Sequence, residues 1–252
     1  MKDFIAGLFS IFESLKFIKK NKDLWFWILC PFLIYMSLLF YSFSWGVGLI
    51  ESYTIKALNT LKSIGLEFLV DYLHIPLVII LSLAFGVLLI YLIFVFGSIF
   101  ASPFNAVLAE KTLLKTGLIE DRPFNFMRWT RVTIKMMLAS VLKSILFLFF
   151  GVFIFIASFI PGLNILSIYF TLMIMAFDSM DYSYELMELN LSRRIMMFRS
   201  SWWTASGLAT SFGLTLVLPG VILLFLPVSV VSAGLLMQSQ VKSNPRLFSK
   251  KG

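Results

Sequence analysis

The fold is decided by a charge-free stretch of about 34 residues, Ser144–Phe177, which reads SILFLFFGVFIFIASFIPGLNILSIYFTLMIMAF. A second stretch of similar length, Thr204–Met237, reads TASGLATSFGLTLVLPGVILLFLPVSVVSAGLLM. Each has a Pro-Gly pair near its middle, Pro161-Gly162 and Pro219-Gly220, and basic residues beyond both ends. A hydrocarbon core roughly 30 Å thick takes about 20 helical residues, so each stretch is too long for one span. The pattern predicts two helical hairpins in a membrane.

The hairpin arms are short. Splitting each stretch at its Pro-Gly pair leaves arms of about 15–17 residues, or roughly 22–26 Å at 1.5 Å per residue. We therefore expect the hairpins over 144-177 and 204-237 to penetrate the bilayer partly. Two full spans for each hairpin remain the alternative, because the turns carry no charge in either case.

Composition independently indicates a membrane protein. The chain of 252 residues has 60% hydrophobic and 13% charged residues, with a mean hydropathy of +0.94. Soluble domains carry roughly 25% charged residues. This length allows one membrane domain, 1-252, and leaves no room for a separate soluble catalytic unit. The single cysteine, Cys30, excludes a disulfide framework.

Four further segments complete the predicted all-α architecture. Residues 1-22 carry apolar residues at helical spacing followed by lysines, which predicts an amphipathic helix on an anionic membrane surface. Two long spans are predicted over 24-50 and 75-109, and a cytoplasmic tail over 238-252. The second span is longer than the hydrocarbon core, which implies tilt, protrusion or a break at Pro103.

Basic residues predict the orientation. If both long spans cross and both hairpins return to their side of entry, Lys56 and Lys62 lie outside, which leaves 19 (21 minus 2) of the Lys and Arg residues inside. This distribution predicts that both termini are cytoplasmic in a multi-pass membrane protein. The net charge of +8 then reflects topology and contact with membrane lipids, and we expect no nucleic-acid partner.

Residues for enzyme chemistry are scarce. The sequence has one histidine, no metal-spaced cluster of His, Cys and carboxylates, and no Gly-rich phosphate loop. We therefore expect no enzyme activity, no metal and no cofactor. Since no carboxylate lies deep within an apolar run, proton coupling through a buried acid is poorly supported.

Polar residues beside Pro103 form the first candidate site. Ser102, Asn105 and Glu110 cluster near the cytoplasmic end of the long span, where the proline releases a backbone carbonyl. They indicate either a translocation path with a polar core or a kinked helix whose freed backbone is satisfied locally.

The apex of the first hairpin is the second candidate. A helix that restarts after Pro161 exposes unpaired N–H groups at its positive end, and Gly162 lets an anion approach the backbone closely. Asn164 adds a polar side chain. The same residues are also typical of an ordinary tight turn.

Two arginines form the third candidate. Ser192 is placed to cap a helix whose first turn carries Arg193 and Arg194, charges that oppose the helix dipole. An anion must compensate them, and we expect either a lipid phosphate or a bound oxyanion.

Four segments carry a resemblance to a known family. In order along the chain they are Ala101-Ser-Pro-Phe-Asn105 through Leu108-Ala-Glu110, Ile160-Pro-Gly-Leu-Asn164, Phe177-Asp-Ser-Met-Asp181-Tyr182, and Leu191-Ser-Arg-Arg194. Their order and spacing resemble the CysZ-type sulfate permeases, from about Leu24 to Met237. The resemblance implies an all-helical bacterial inner-membrane protein that brings sulfate to cysteine biosynthesis.

The resemblance also implies particular sulfate contacts. Gly162, Leu163 and Asn164 match a turn associated with sulfate binding in the family. Relatives often carry a basic pair just inside the first span, where this chain has Trp25-Phe26. Lys19 and Lys20, slightly further away, are the basic residues that we expect to contact an anion or lipid phosphate instead.

Two functions remain at this point. The first is a sulfate permease that holds the dianion by backbone N–H groups and neutral donors, because full neutralisation by charge would trap it. The alternative is a non-transporting scaffold or lipid-interacting accessory protein. Two spans and two short hairpins are too few to enclose a conduit, so we expect a homo-oligomer.

Overall fold

The structure, a computed structural model, describes residues 1–63, 65, 67–120, 126–158, 163–215 and 219–243. Within these ranges the regular secondary structure is entirely α-helical, which confirms the predicted fold class. The helices are α1 (Lys2–Lys20), α2 (Leu24–Ser63), α3 (Glu67–Lys115), α4 (Phe126–Ser158), α5 (Leu163–Leu186), α6 (Leu191–Ser200), α7 (Trp202–Thr215) and α8 (Pro219–Ser243).

Helices α2 and α3 are the longest of these. They contain 40 and 49 residues, which corresponds to about 60 and 74 Å at 1.5 Å per residue. Each extends beyond its predicted span, 24-50 or 75-109. Because α3 is helical on both sides of Pro103, the break that the sequence left open at this proline is excluded.

The chain divides into two compact units. Ile34–Ser98 forms one, and Met1–Leu33 with Ile99–Gly252 forms the other. Within the smaller unit Tyr35 is fully buried and its ring occupies the space where a Cβ on Gly97 would lie. The larger unit contains every candidate site residue named above.

The first hairpin is longer than predicted. Its arms, α4 and α5, contain 33 and 24 residues, or roughly 50 and 36 Å, because helical structure continues past the charge-free stretch into residues of mixed polarity. Residues 159–162 between the arms lie outside the described part of the chain.

The second hairpin has unequal arms. Helix α7 contains 14 residues, roughly 21 Å, which is close to the predicted arm and shorter than a hydrocarbon core of about 30 Å. Helix α8 contains 25 residues and continues to Ser243, so it includes the first part of the segment 238-252 that was predicted as a tail. Positions from 244 onward are not described.

Several helices have the length and composition of membrane spans. Five such segments occur among the described residues: Leu24–Thr60, Leu92–Lys115, Met137–Ala157, Ile165–Leu186 and Val221–Ser243. This finding agrees with an all-α membrane protein.

Helix α1 packs across the second hairpin. A Cβ on Gly7 would meet the Thr204 carbonyl oxygen of α7, and one on Gly207 would meet the Phe4 carbonyl oxygen of α1, so the two backbones are in direct contact. Further along α1, Ser14 Oγ lies 2.7 Å from Ser232 Oγ of α8.

The apolar residues of α1 therefore lie in two environments: some are buried in the protein and others are exposed on its surface. Ile11 and Ile18 are buried in the protein, whereas Phe12 and Ile5 are about half exposed on the opposite side. The exposed side matches the surface expected to face lipid.

Candidate functional site

Five charged side chains converge where α4, α5 and α6 meet. Asp178, Asp181 and Glu185 share one face of α5, because positions i, i+3 and i+7 lie close together on a helix. Lys143 Nζ of α4 lies 3.0 Å from Asp178 Oδ1 and 3.0 Å from Asp181 Oδ2. Arg194 Nη1 of α6 lies 3.2 Å from Asp181 Oδ1 and 3.4 Å from Glu185 Oε2. We call these five residues the ion cluster.

The ion cluster is shielded from solvent. The exposed fractions of its side chains range from 1% for Asp181 to 14% for Arg194. Removing an ion from water costs several kcal/mol, so each buried charge needs a partner of opposite sign. Two cations and three carboxylates give a formal charge of −1. The cluster can therefore hold three helices together but offers no excess positive charge to a dianion.

Arg194 is directed into the ion cluster by the start of α6. Asn190, not Ser192, caps this helix: its side-chain oxygen accepts a hydrogen bond of 2.9 Å from the Arg193 backbone N–H. The Arg194 Nε–H donates to the Leu189 carbonyl oxygen at 2.8 Å. The prediction of Ser192 as the cap was wrong, because Ser192 already lies inside the helix.

For Arg194, carboxylates of the protein supply negative charge of the kind that the sequence led us to expect from an anion. The carboxylates of Asp181 and Glu185 compensate the charge of Arg194 within the protein. Arg193 is half-buried, and no ion pair of its guanidinium occurs within the described residues. For both arginines the contact with a lipid phosphate or oxyanion stays a prediction.

Neutral polar groups lie next to the ion cluster. Ser102 and Asn105 of α3, Ser140 of α4 and Tyr182 of α5 are 0% to 3% exposed. The Tyr182 hydroxyl lies beside the side chains of Asn105 and Ser140, and Lys143 Nζ is 4.5 Å from the centre of the Tyr182 ring.

These neighbours lack aligned hydrogen bonds. Ser102 Oγ, Asn105 Oδ1, Ser140 Oγ and Tyr182 Oη have no partner of good hydrogen-bond geometry in the described part of the protein. The structure thus places two predicted residues, Ser102 and Asn105, in a buried polar core. Glu110, the third member of that predicted group, is only half-buried and belongs to neither cluster.

The opposite face of α5 has paired hydroxyls. Ser179 Oγ lies 2.6 Å from Ser229 Oγ of α8, and the Tyr184 hydroxyl donates to Gln240 Oε1 at 3.1 Å. Gly234 of α8 lies against Thr112 of α3, where a Cβ would be 2.7 Å from Thr112 Cγ2. The contact between α5 and α8 is therefore a packed interface whose polar groups are only partly satisfied, since Ser183 Oγ and Gln240 Nε2 have no partner among the described residues.

The predicted hairpin apex is separate from these clusters. Gly162 and the side chain of Asn164 lie outside the described residues, whereas Leu163 begins α5 with an exposed side chain. Asp178 lies 15 residues after Leu163 on the same helix, which is roughly 22 Å at 1.5 Å per residue. A sulfate held at the apex would not touch the ion cluster.

The lysines at the end of α1 are surface residues. Lys19 and Lys20 are exposed and lie in the last turn of the helix, where positive charge complements the helix dipole. Nearby, Asp23 pairs with Lys115 at 3.1 Å and Lys111 at 3.7 Å. Slight burial would raise the pKa of the Asp23 carboxyl, but the hydrogen bond and charge of Lys115 and the charge of Lys111 outweigh it and lower that pKa.

Sequence reasoning missed the ion cluster. Lys143 directly precedes the charge-free stretch, and Asp178 and Asp181 come just after it, within a segment that contributes only to the family resemblance. The sequence argued against a buried acid, and this was wrong, because Asp178 and Asp181 are both buried within the segment Ile165–Leu186. The i, i+3, i+7 spacing of three acids on one helix was the available signal.

A helical chain with five apolar segments long enough to span a membrane, and with charged and polar groups buried between them, is a multi-pass membrane protein. Its residues 10–227 match the family described as Sulfate transporter CysZ/Etoposide-induced protein 2.4, and the chain belongs to this family.

Curated relatives agree with the family assignment. The chain is 27% identical over 175 residues to the protein named Sulfate transporter CysZ from Pseudomonas aeruginosa strain PAO1, a match that covers 68% of this chain and 70% of the relative. The protein of the same name from Pseudomonas aeruginosa strain LESB58 gives the same values. That from Pseudomonas paraeruginosa strain PA7 is 27% identical over 170 residues, covering 66% and 68% of the two chains.

Proposed function

We propose that this protein is a sulfate permease of the bacterial inner membrane that supplies sulfate for cysteine synthesis. Its family and the name of its relatives support the substrate. The observation that carries the proposal is the buried polar core between α3, α4 and α5, which lies within segments long enough to span a membrane. Polar side chains at membrane depth are costly and mark substrate pathways.

The permease needs two kinds of group. The ion cluster fixes α4, α5 and α6 to one another, because separating its charges would expose an unpaired ion to a medium of low dielectric constant. Neutral donors and backbone N–H groups then contact the dianion, since they bind it without trapping it. The protein is on this proposal not an enzyme and needs no cofactor.

Surface cations on the proposed cytoplasmic side complete the path. Lys19, Lys20 and Arg193 would attract either the anion or lipid phosphates there, and Glu110 would lie at the rim of the path. Both termini are proposed to be cytoplasmic, and several copies of the chain are proposed to form the conduit together.

Uptake of radiolabelled sulfate tests the permease directly. Proteoliposomes that contain only this protein are expected to accumulate sulfate faster than empty liposomes of the same lipid. Equal rates in the two preparations would contradict transport by this chain alone.

The hairpin apex has its own test. The first turn of α5 leaves backbone N–H groups without helical partners, and we propose that Gly162, Leu163 and Asn164 present them to sulfate. Gly162→Val and Asn164→Leu are each expected to weaken sulfate binding about tenfold or more, because hydrogen bonds to a charged group contribute about 1.5–3 kcal/mol. Equilibrium dialysis with labelled sulfate measures this. Asn59→Leu, at an exposed position on α2, is the matched control, and unchanged binding in the apex variants would place the site elsewhere.

The alternative function is a lipid-interacting accessory protein. It is favoured by one observation: on α4 the Phe149 ring makes edge-to-face contacts with Phe150 and Phe153, and all three side chains are more than half exposed. Stable reconstitution without any sulfate uptake or sulfate binding would favour this function over the permease.

A further inference from the structure

We infer that Ser102, Asn105, Ser140 and Tyr182 form an internal site for a tetrahedral dianion at the junction of α3, α4 and α5. The inference rests on the proposed permease function and names a second station on its path. We call these four residues the donor site.

Unpaired polar atoms mark the donor site. Most buried polar groups in proteins are hydrogen-bonded, and leaving one unpaired is costly. Most other buried serines in the described helices bond to a carbonyl oxygen of the preceding turn, as Ser179 does to that of Met175 at 3.0 Å, and Ser183 is an exception. Ser102 and Ser140 make no such bond. The Ser102 hydroxyl therefore remains available to another group, and the Ser140 hydroxyl has the Tyr182 hydroxyl as its neighbour.

The unpaired groups converge from separate helices. The Tyr182 hydroxyl lies beside Asn105 of α3 and Ser140 of α4. Ser102 lies one turn before Asn105 on the same face of α3. Because α3, α4 and α5 each contribute, the arrangement depends on the tertiary fold and not on one helix end.

Donor chemistry selects the occupant. The three hydroxyls can donate hydrogen bonds, whereas the unpaired atom of Asn105 is the acceptor Oδ1, so this amide donates to a ligand when its side chain turns to present Nδ2. No member of the donor site is charged. The nearest cation, Lys143, lies over the Tyr182 ring and is shared between Asp178 and Asp181.

A fully ionised tetrahedral oxyanion accepts hydrogen bonds and donates none, which suits this set of groups. Weak binding by several neutral donors also permits release toward the next station. The hairpin apex, roughly 22 Å away by helix length, would be that neighbouring station.

Two single-atom substitutions test the donor site. Tyr182→Phe and Ser140→Ala each remove one hydroxyl and are expected to lower the rate of sulfate uptake into proteoliposomes about tenfold. Tyr184→Phe and Ser179→Ala are the controls, because they remove the same two kinds of hydroxyl from the face of α5 that packs against α8. The controls are expected to transport sulfate at nearly the wild-type rate.

Competition identifies the ligand on the wild-type protein. Selenate, a tetrahedral dianion, is expected to inhibit uptake of labelled sulfate, whereas an equal concentration of chloride is expected not to. Equal inhibition by both anions would overturn the assignment of a tetrahedral dianion.

The possible results distinguish failure of the donor site from failure of the proposed permease function. Wild-type proteoliposomes without uptake would reject the permease and the donor site together. Normal wild-type uptake that neither Tyr182→Phe nor Ser140→Ala reduces would reject the donor site alone and leave water as its occupant. If Tyr182→Phe fails to reconstitute, Ser140→Ala decides the question.

Discussion

Asp181 shows how much one buried residue can determine. It is fully buried, and its two carboxylate oxygens contact cations from two different helices, Lys143 of α4 and Arg194 of α6. By contrast, Asp23 pairs with lysines while 46% of its side chain is exposed. Exposed pairs contribute about 0–1 kcal/mol, so the two carboxylates differ widely in their effect on stability.

Lys143→Met tests the ion cluster at this scale. The change leaves Asp178 without its cation and is expected to lower the free energy of unfolding by about 3–5 kcal/mol. Thermal or denaturant unfolding in detergent measures the loss. Lys16→Met, at an exposed position on α1, is the control and is expected to change little.

A second substitution separates charge from packing. If the unpaired carboxylate causes the loss, Lys143→Met combined with Asp178→Asn is expected to recover part of it, since neighbouring sites in one network are not additive. A Lys143→Met variant as stable as Lys16→Met would contradict the role given to the cluster.

The contact between α1 and α7 is the clearest feature at the scale of the helix. Gly207 lies so close to α1 that an added Cβ would be 2.7 Å from the Leu8 backbone nitrogen. Such contacts between small residues allow helices in membranes to gain dispersion energy, since lipid provides no hydrophobic driving force. The Ser211 hydroxyl also donates to the Leu8 carbonyl oxygen at 2.9 Å.

Gly207→Ala is expected to weaken this contact. The added methyl group meets backbone atoms that cannot rotate away, so the helices must separate, at a cost of about 1–3 kcal/mol. Gly48→Ala is the matched control: a Cβ there has no atom within 4 Å, and alanine favours a helix over glycine by about 0.5–1 kcal/mol. Equal unfolding midpoints for the two variants would contradict the close contact.

The sequence predicted helices well because apolar runs, Pro-Gly pairs and basic flanks are local signals. It predicted Ser102 and Asn105 because both lie next to Pro103 within one span. It could not predict Lys143, Asp181 and Arg194 as one cluster, since their contacts join three helices and each residue by itself is typical of a helix end. Small residues on neighbouring turns, Gly207 and Ser211, indicate close helix packing, but only the structure identifies α1 as the partner.

At the scale of the molecule, helix lengths constrain the topology. If the first hairpin returns to the side of the membrane from which it enters, the second hairpin decides on which side the carboxyl-terminal end of α8 lies. The 14 residues of α7 are too few for a hydrocarbon core, which takes about 20. We therefore expect α7 and α8 to enter and leave the bilayer on one side, although α8 alone is long enough to span it.

Labelling tests this topology. In a Cys30→Ser background, Lys2→Cys and Ser243→Cys are expected to react with a membrane-impermeant maleimide only from the cytoplasmic side. Right-side-out vesicles expose the outer face of the membrane to the reagent, and inside-out vesicles expose the cytoplasmic face. Reaction of the two cysteines from opposite sides would mean that the second hairpin crosses the membrane an odd number of times.

The packing of α1 has a consequence for biosynthesis. The hydrogen bonds that join α1 to α7 and α8 connect positions 203 and 218 residues apart. At a synthesis rate of about 5–20 residues per second, α1 leaves the ribosome roughly 10–40 seconds before its partners exist. During that interval its small-residue face has no protein to contact. A membrane surface, a chaperone or the insertion machinery must shield it, so the helix that emerges early is among the last to reach its final neighbours.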